Sequence, residues 1–225
     1  GRIGQFSFLV LMFFLMIVGI IYVEQGQRRI PIQFAKRVRG RKVMGGQSTY
    51  IPLKVNSAGV IPVIFATSVL FFPALIATSL PQDNSITAGI RNWIDVNLAN
   101  SQGTSWFYIF FLGMLIIFFT YFYTTIQFDP VRQSDMIRRQ GGFVPGVRPG
   151  ISTTNYLSHI ISRITLPGSV FLASVAVLPS IASAIWDIPL GFSGISILIT
   201  VGVALETMKQ IESQLSMRNY EGFID

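Results

Sequence analysis

The 225-residue chain is 51% hydrophobic and only 12% charged. Soluble globular proteins carry about a quarter charged residues, so lipid is its main solvent and most soluble biochemistry is excluded. A net charge of +7 would suit nucleic acid, but the basic residues are confined to selected loops. The absence of cysteine excludes disulfides, thiolate catalysis and cysteine metal sites.

The first residues, Gly1 to Phe6, show neither an initiator Met nor a signal-cleavage pattern. The chain therefore reads as a piece of something larger or as a processed product. Five apolar runs follow, at 6–23, 55–80, 106–126, 166–185 and 188–205. Each holds roughly 18–25 residues, enough for a helix to cross a ~30 Å hydrocarbon layer. The fold expected is an all-α membrane protein with five transmembrane helices.

The loop after the first run, 24–54, alternates polar and apolar residues at 29–34 and again at 48–53. Alternation of period two reads as two extended arms, with Arg39, Arg41 and Lys42 at a basic tip between them. Such a projection suits a polyanionic partner, ribosomal RNA or an acidic protein surface. Ordinary charge bias of a membrane-flanking loop, aided by anionic lipid, accounts for the cations equally well.

The second run carries small residues at Ser57, Ala58, Gly59 and Ala66, which permit close helix approach. Pro62 is expected to free a backbone carbonyl there. The amide of Asn56 needs a partner if it is buried. This run reads either as an ordinary packed helix or as a wall of a moving, water-lined gap. Beyond it, 87–96 has helical spacing of apolar positions and is expected to form a short interfacial helix.

After the third run, Asp129 and Pro130 precede Arg132, Asp135, Arg138 and Arg139 at helical spacing. A Gly/Pro-dense stretch then presents Arg148 between two turns. His159 has no second ligand in view and reads as structural. In the fourth run Pro167 is expected in the first turn, and Pro179 is expected to kink or stop the helix. A tight turn over 184–189 leads to the fifth run, where Glu206 meets the interface as a snorkelling residue.

Of the seventeen Lys and Arg residues, fifteen lie in 24–54, 127–165 and the tail 206–225. The positive-inside rule makes that side cytoplasmic. Trp93, Trp106 and Trp186 fall at the opposite boundary, where indole rings are favoured. No ionisable group stands near the middle of any run, which weighs against a proton-coupled transporter or an intramembrane protease. No phosphate-binding Gly-Lys-Ser/Thr loop is present, and nothing calls for a metal or other cofactor.

The stretches VEQGQRRI (23–30), QSTYIPLKVN (47–56), AGVIP (58–62) and GFVPGVRPG (142–150) resemble the SecY family, in its bacterial or plastid form. The resemblance runs in order along essentially the whole chain. Family members have ten spans, and this chain resembles spans six to ten, the C-terminal half of a protein-conducting channel that releases apolar segments sideways into lipid. The plug segment and the other gate wall would then come from a separate N-terminal half. The resemblance implies that the second run is the gate-lining seventh helix, with Asn56 at a polar lateral-gate position. It also implies that Ile64 and Ile199 belong to an apolar pore ring.

The two basic loops would dock the ribosome and a SecA-like motor ATPase through Arg39, Arg41, Lys42 and Arg148. Small SecE-like and SecG-like subunits, signal-sequence-bearing polypeptides and membrane lipid complete the implied partners. The implied location is the bacterial plasma membrane, with the thylakoid as the other setting, and no catalytic residue is implied. Half of a secondary transporter, or a non-conducting ribosome-docking insertion factor, are the competing functions for such a chain.

Overall fold

In the computed structural model, residues 2–34, 37–39, 42–44, 48–79, 85–98, 105–186 and 193–221 are described. The first apolar run forms α1 (Arg2–Gln25), whose end feeds directly into the arm. The arm consists of β1 (Gln27–Phe34), β2 (Arg37–Arg39), β3 (Lys42–Met44) and β4 (Ser48–Lys54). β1 and β4 run antiparallel, from Gln27 opposite Lys54 to Gln33 opposite Ser48. β2 pairs with β3 beyond them, with Arg39 opposite Lys42. Two prolines sit in this ladder, Pro31 opposite Tyr50 and Pro52 opposite Arg29. The two pairs are two residues apart and so belong to the same class of an antiparallel ladder. Both can occupy non-hydrogen-bonded positions, and neither proline then removes a ladder bond.

The remaining elements are α2 (Ile61–Ser79), α3 (Ser85–Asn97), α4 (Trp106–Gln127), α5 (Pro130–Arg139), β5 (Gly142–Phe143), α6 (Ile151–Trp186) and α7 (Gly194–Glu221). Among the described residues five helices are long and apolar enough to cross a membrane, namely α1, α2, α4, α6 and α7. The shortest, α2, has 19 residues and measures about 28 Å at ~1.5 Å per residue, close to the hydrocarbon thickness. α6 is buried over more than half of its apolar stretch and is the central helix. Leu172 and Ala176 of α6 meet Met16 and Ile20 of α1, Val63 and Leu70 of α2, Leu112 and Ile116 of α4, and Leu198 of α7 in one core. Hydroxyls inside the spans are satisfied locally. Thr120 donates to the Ile116 carbonyl and Thr124 to that of Thr120, both at 2.7 Å.

Three expectations about boundaries are corrected. The second span does not begin at 55: residues 55–60 are irregular and α2 starts at Ile61. Gly59 has φ of 65°, a conformation costly for any residue with a Cβ, and the helix begins two residues later. Pro62 therefore lies in the first turn of α2 and disrupts nothing. The fourth span is not 166–185 but the end of a 36-residue helix that starts at Ile151. Pro167 stands inside it rather than in its first turn. Pro179 does not stop it, and α6 continues to Trp186. Transmembrane helices tolerate such prolines when neighbours cover the freed carbonyls. The fifth helix starts at Gly194, where the Ser193 hydroxyl accepts from the Ser196 N–H at 3.2 Å, as a helix cap does. Residues 187–189 of the expected 184–189 turn lie outside the described residues.

The loop between α4 and α6 is more structured than a turn-rich excursion. The Asp129 carboxylate caps α5 by accepting from the N–H groups of Val131 (2.9 Å) and Arg132 (3.3 Å). Arg138 and Arg139 sit in its last turn, where cations suit the helix dipole. β5 then adds to the free side of β1, giving a sheet of order β4-β1-β5. A second core forms beneath this sheet from Ile30, Ile32, Leu53, Ile137, Val144, Leu157 and Ile160. The two basic loops are thus one body, seated on the extension of α6.

Candidate gate and pore surface

The chain leaves α1 for the arm and returns from it into α2 at a single joint. The Gly26 N–H donates to the Val23 carbonyl (3.1 Å), and the Val55 N–H donates to the Gly26 carbonyl (2.9 Å). Asn56, only 4% exposed, donates its amide to the Glu24 carboxylate at 2.9 Å and to the Gly59 carbonyl at 3.2 Å. Both partners are acceptors, so the amide orientation is determined. Its Oδ1 is left buried without a donor among the described residues, an arrangement that costs roughly 1–3 kcal/mol. The joint is pressed against α6 at Gly168. A Cβ there would come within 2.7 Å of the Val55 carbonyl oxygen, so only glycine fits without moving backbone. Asn56 is therefore turned inward, toward the end of α1.

Ile64 is 43% exposed and Ile199 is half-buried, and neither belongs to the core. On α2 the packed side is Pro62, Val63, Ala66 and Leu70, while Ile61, Ile64, Phe65 and Ser68 are exposed. The Ile64 carbonyl accepts the hydroxyls of Thr67 and Ser68, both at 2.8 Å. Ile199 borders an exposed stripe of α7 formed by Ser196, Thr200, Val203 and Thr207. Thr200 donates back to the Ser196 carbonyl at 2.8 Å and Thr207 to that of Val203 at 2.8 Å.

The two isoleucines lie at a common depth. A Cβ on Gly202 of α7 would stand 3.1 Å from Cγ1 of Val60, which fixes where the two antiparallel segments touch. Ile64 is four residues from that contact and Ile199 three, both on the side away from the arm. At ~1.5 Å per residue these offsets are about 6 Å and about 4.5 Å. Because α2 begins late, Ile64 stands in its first turn, nearer the arm side than a position well inside the span.

Cations are spread along the arm. Arg28 and Arg29 are exposed on β1 near its junction with α1, and Arg39 is opposite Lys42 in the β2–β3 register. Arg41 lies outside the described residues. Arg148 is exposed between Gly146 (φ 83°) and Gly150 (φ 109°). Its carbonyl accepts the Thr153 hydroxyl at 2.9 Å, and the Gly150 carbonyl accepts that of Ser134 at 3.1 Å. These bonds lock the loop to α5 and α6 and leave the Arg148 side chain outward. Among the described residues no carboxylate pairs with it; Arg91 and Asp95 form an ion pair on α3.

A family model for SecY matches residues 2–208. The chain belongs to the SecY family. It is 49% identical over 226 residues to protein translocase subunit SecY of Streptomyces scabiei, covering 98% of this chain and 49% of that protein. The same subunit of Streptomyces coelicolor is 50% identical, covering 98% and 49%. That of Mycobacterium tuberculosis is 50% identical, covering 93% and 48%. The chain spans about half the length of the curated relatives it matches. Its fold is similar to a solved SecY channel described for a plug domain that stabilises the closed state. That match has a TM-score of 0.56 at 17% identity, over 91% of this chain and 49% of that one. A second solved structure, of a protein-conducting channel, gives a TM-score of 0.54 at 16% identity, over 91% and 48%.

With five membrane-crossing helices on a SecY fold, the chain is a membrane protein. Three parts of this SecY surface escaped the sequence reading: Glu24 as the partner of Asn56, the close approach at Gly168, and β5 on β1. Glu24 and Asn56 are 32 positions apart, and no local pattern links them. Gly168 did carry a signal, as a glycine inside an apolar helix where close packing is the usual reason for it.

Proposed function

We propose that this chain forms the C-terminal half of a protein-conducting channel, equivalent to spans six to ten. It passes unfolded polypeptide across the membrane and releases apolar segments into lipid. The common depth of Ile64 and Ile199, on helix faces that the rest of the chain leaves open, supports this reading most directly. Branched apolar side chains at a constriction exclude water and ions yet yield to a passing chain. Asn56 belongs to the lateral-gate wall as the residue that holds the start of α2 to α1. The chain is not itself an enzyme, and the energy comes from partners. The preceding half of the channel, SecE-like and SecG-like subunits, a SecA-like motor and the ribosome complete the complex. The arm and the Arg148 loop face the cytoplasm of a bacterial cell, as their cations favour.

A photoreactive residue at Ile64 or Ile199 of the complete channel should crosslink to a secretory chain arrested in transit. One at Phe110, 71% exposed on α4, should crosslink to lipid instead. Crosslinks to the arrested chain at Phe110 and none at the two isoleucines would mean that the polypeptide passes elsewhere.

Arg39, Arg41, Lys42 and Arg148 are the docking residues for the motor and ribosome. Arg148→Glu should leave the channel assembled but lower motor-driven export by at least about tenfold, because like charges across an interface cost several kcal/mol. Unchanged export at normal protein abundance would remove Arg148 from the docking surface.

A further inference from the structure

We infer that α3 is a membrane-surface anchor that lies in the lipid leaflet opposite the arm. Its surface divides into three sectors. Ile94 and Leu98, just past its end, face the protein, with Leu98 packed against the main core. Asn92 and Asp95 are exposed and polar, and Asp95 pairs with Arg91 at 3.8 Å, so this sector carries no net charge. The third sector is apolar and open. Ile86 is 78% exposed, Ile90 and Trp93 about half, and the three recur at spacings of four and three residues along one face. A helix lying where protein, water and hydrocarbon meet needs these three sectors, one for each neighbour.

Lipid is the occupant that fits the open sector. The Trp93 ring packs edge-on against Phe107 at 5.5 Å, in the first turn of membrane-crossing α4, beside exposed Trp106. Indoles favour the boundary between headgroups and acyl chains, so this contact sets the depth of α3. The two helices that α3 touches, α2 and α4, also carry exposed apolar side chains, among them Phe71, Phe72 and Phe110. Left in water, such a patch would be an association liability. The neutral Arg91–Asp95 pair makes the anchoring independent of anionic lipid. The inference stands whichever way the channel is oriented, and whether or not it conducts polypeptide.

Single spin labels on cysteines at Ile86, Ile90, Asn92 and Asp95, in the complete channel in lipid nanodiscs, test this. Collision with oxygen should dominate at 86 and 90, at a depth about 5–10 Å below the headgroup boundary. Collision with a water-soluble nickel chelate should dominate at 92 and 95, and for the labels that leave the Arg91–Asp95 pair intact the pattern should be the same in zwitterionic and anionic lipid. Nickel access at all four sites would show α3 standing in water and overturn the proposal. Protection of 86 and 90 from both reagents would overturn it in favour of a protein occupant, either the other half of the channel or a second copy.

Discussion

Replacing Ile64 and Ile199 together with Asn is expected to make the resting channel leak small ions. Both side chains stand at one depth on open faces of α2 and α7, outside the packed core. An amide without a partner costs roughly 1–3 kcal/mol away from water, so it holds water where a branched alkyl group repels it. At about 1.4 kcal/mol per factor of ten, that difference favours the wetted state by about fivefold to a hundredfold. Either change alone should do less, because on the proposed reading the other isoleucine still dries the passage. Planar-bilayer recording of assembled wild-type and mutant channels reads the effect directly. Equal resting conductance would make these isoleucines ordinary packing residues and put the seal elsewhere.

Gly194→Val is expected to prevent normal assembly. Pro179 has no N–H, so the carbonyl four residues before it, that of Val175, loses its helical donor. The first residue of α7, Gly194, lies against that same oxygen, and any Cβ at 194 would overlap it and crowd the Ala176 carbonyl at 2.9 Å. The obstacle is helical backbone, which cannot rotate aside as a side chain can. Overpacking of a core typically costs about 1–3 kcal/mol, and this contact belongs at the upper end. The variant should reach the membrane at reduced abundance and melt earlier in mild detergent, with Gly194→Ala intermediate. Wild-type melting of Gly194→Val would mean that α6 and α7 do not touch here in the complete channel.

What was legible in the sequence follows the range of the forces involved. Apolar runs and two-residue alternation are local, so the membrane-crossing helices and the extended arms could be read from them. Ile30, Ile32 and Leu53 do point into one core. Proline rules are also local, and they misled for Pro62 and Pro167, while Pro179 does not stop its helix. A neighbouring glycine covers the carbonyl that Pro179 frees, and Pro62 is harmless because Gly59 delays the helix start. β5 is two residues long and pairs across more than a hundred positions. Only the missing Cβ of Gly142, which would stand 3.0 Å from Cγ2 of Ile32 and 3.1 Å from Cε1 of Phe34, hints at that approach. For the candidate site, Ile64 and Ile199 were reachable through family resemblance, whereas the inward turn of Asn56 depended on Glu24, distant in sequence.

The joint at Glu24, Val55 and Asn56 has a mechanical consequence. The arm's first strand has 8 residues, about 26 Å at ~3.3 Å each, nearly the length of α2. The second core and β5 hold this strand along its length to α5 and α6, so the arm and the extension of α6 move as one body. Along the chain, a push on this body reaches α2 only through the corner at residues 55–60. Residues 55–59 make no helical backbone bond and would bend first, yet the Asn56 amide spans this stretch from Glu24 to Gly59. The Asn56 side chain is thus the tie that joins the end of α1 to the start of α2 across this corner.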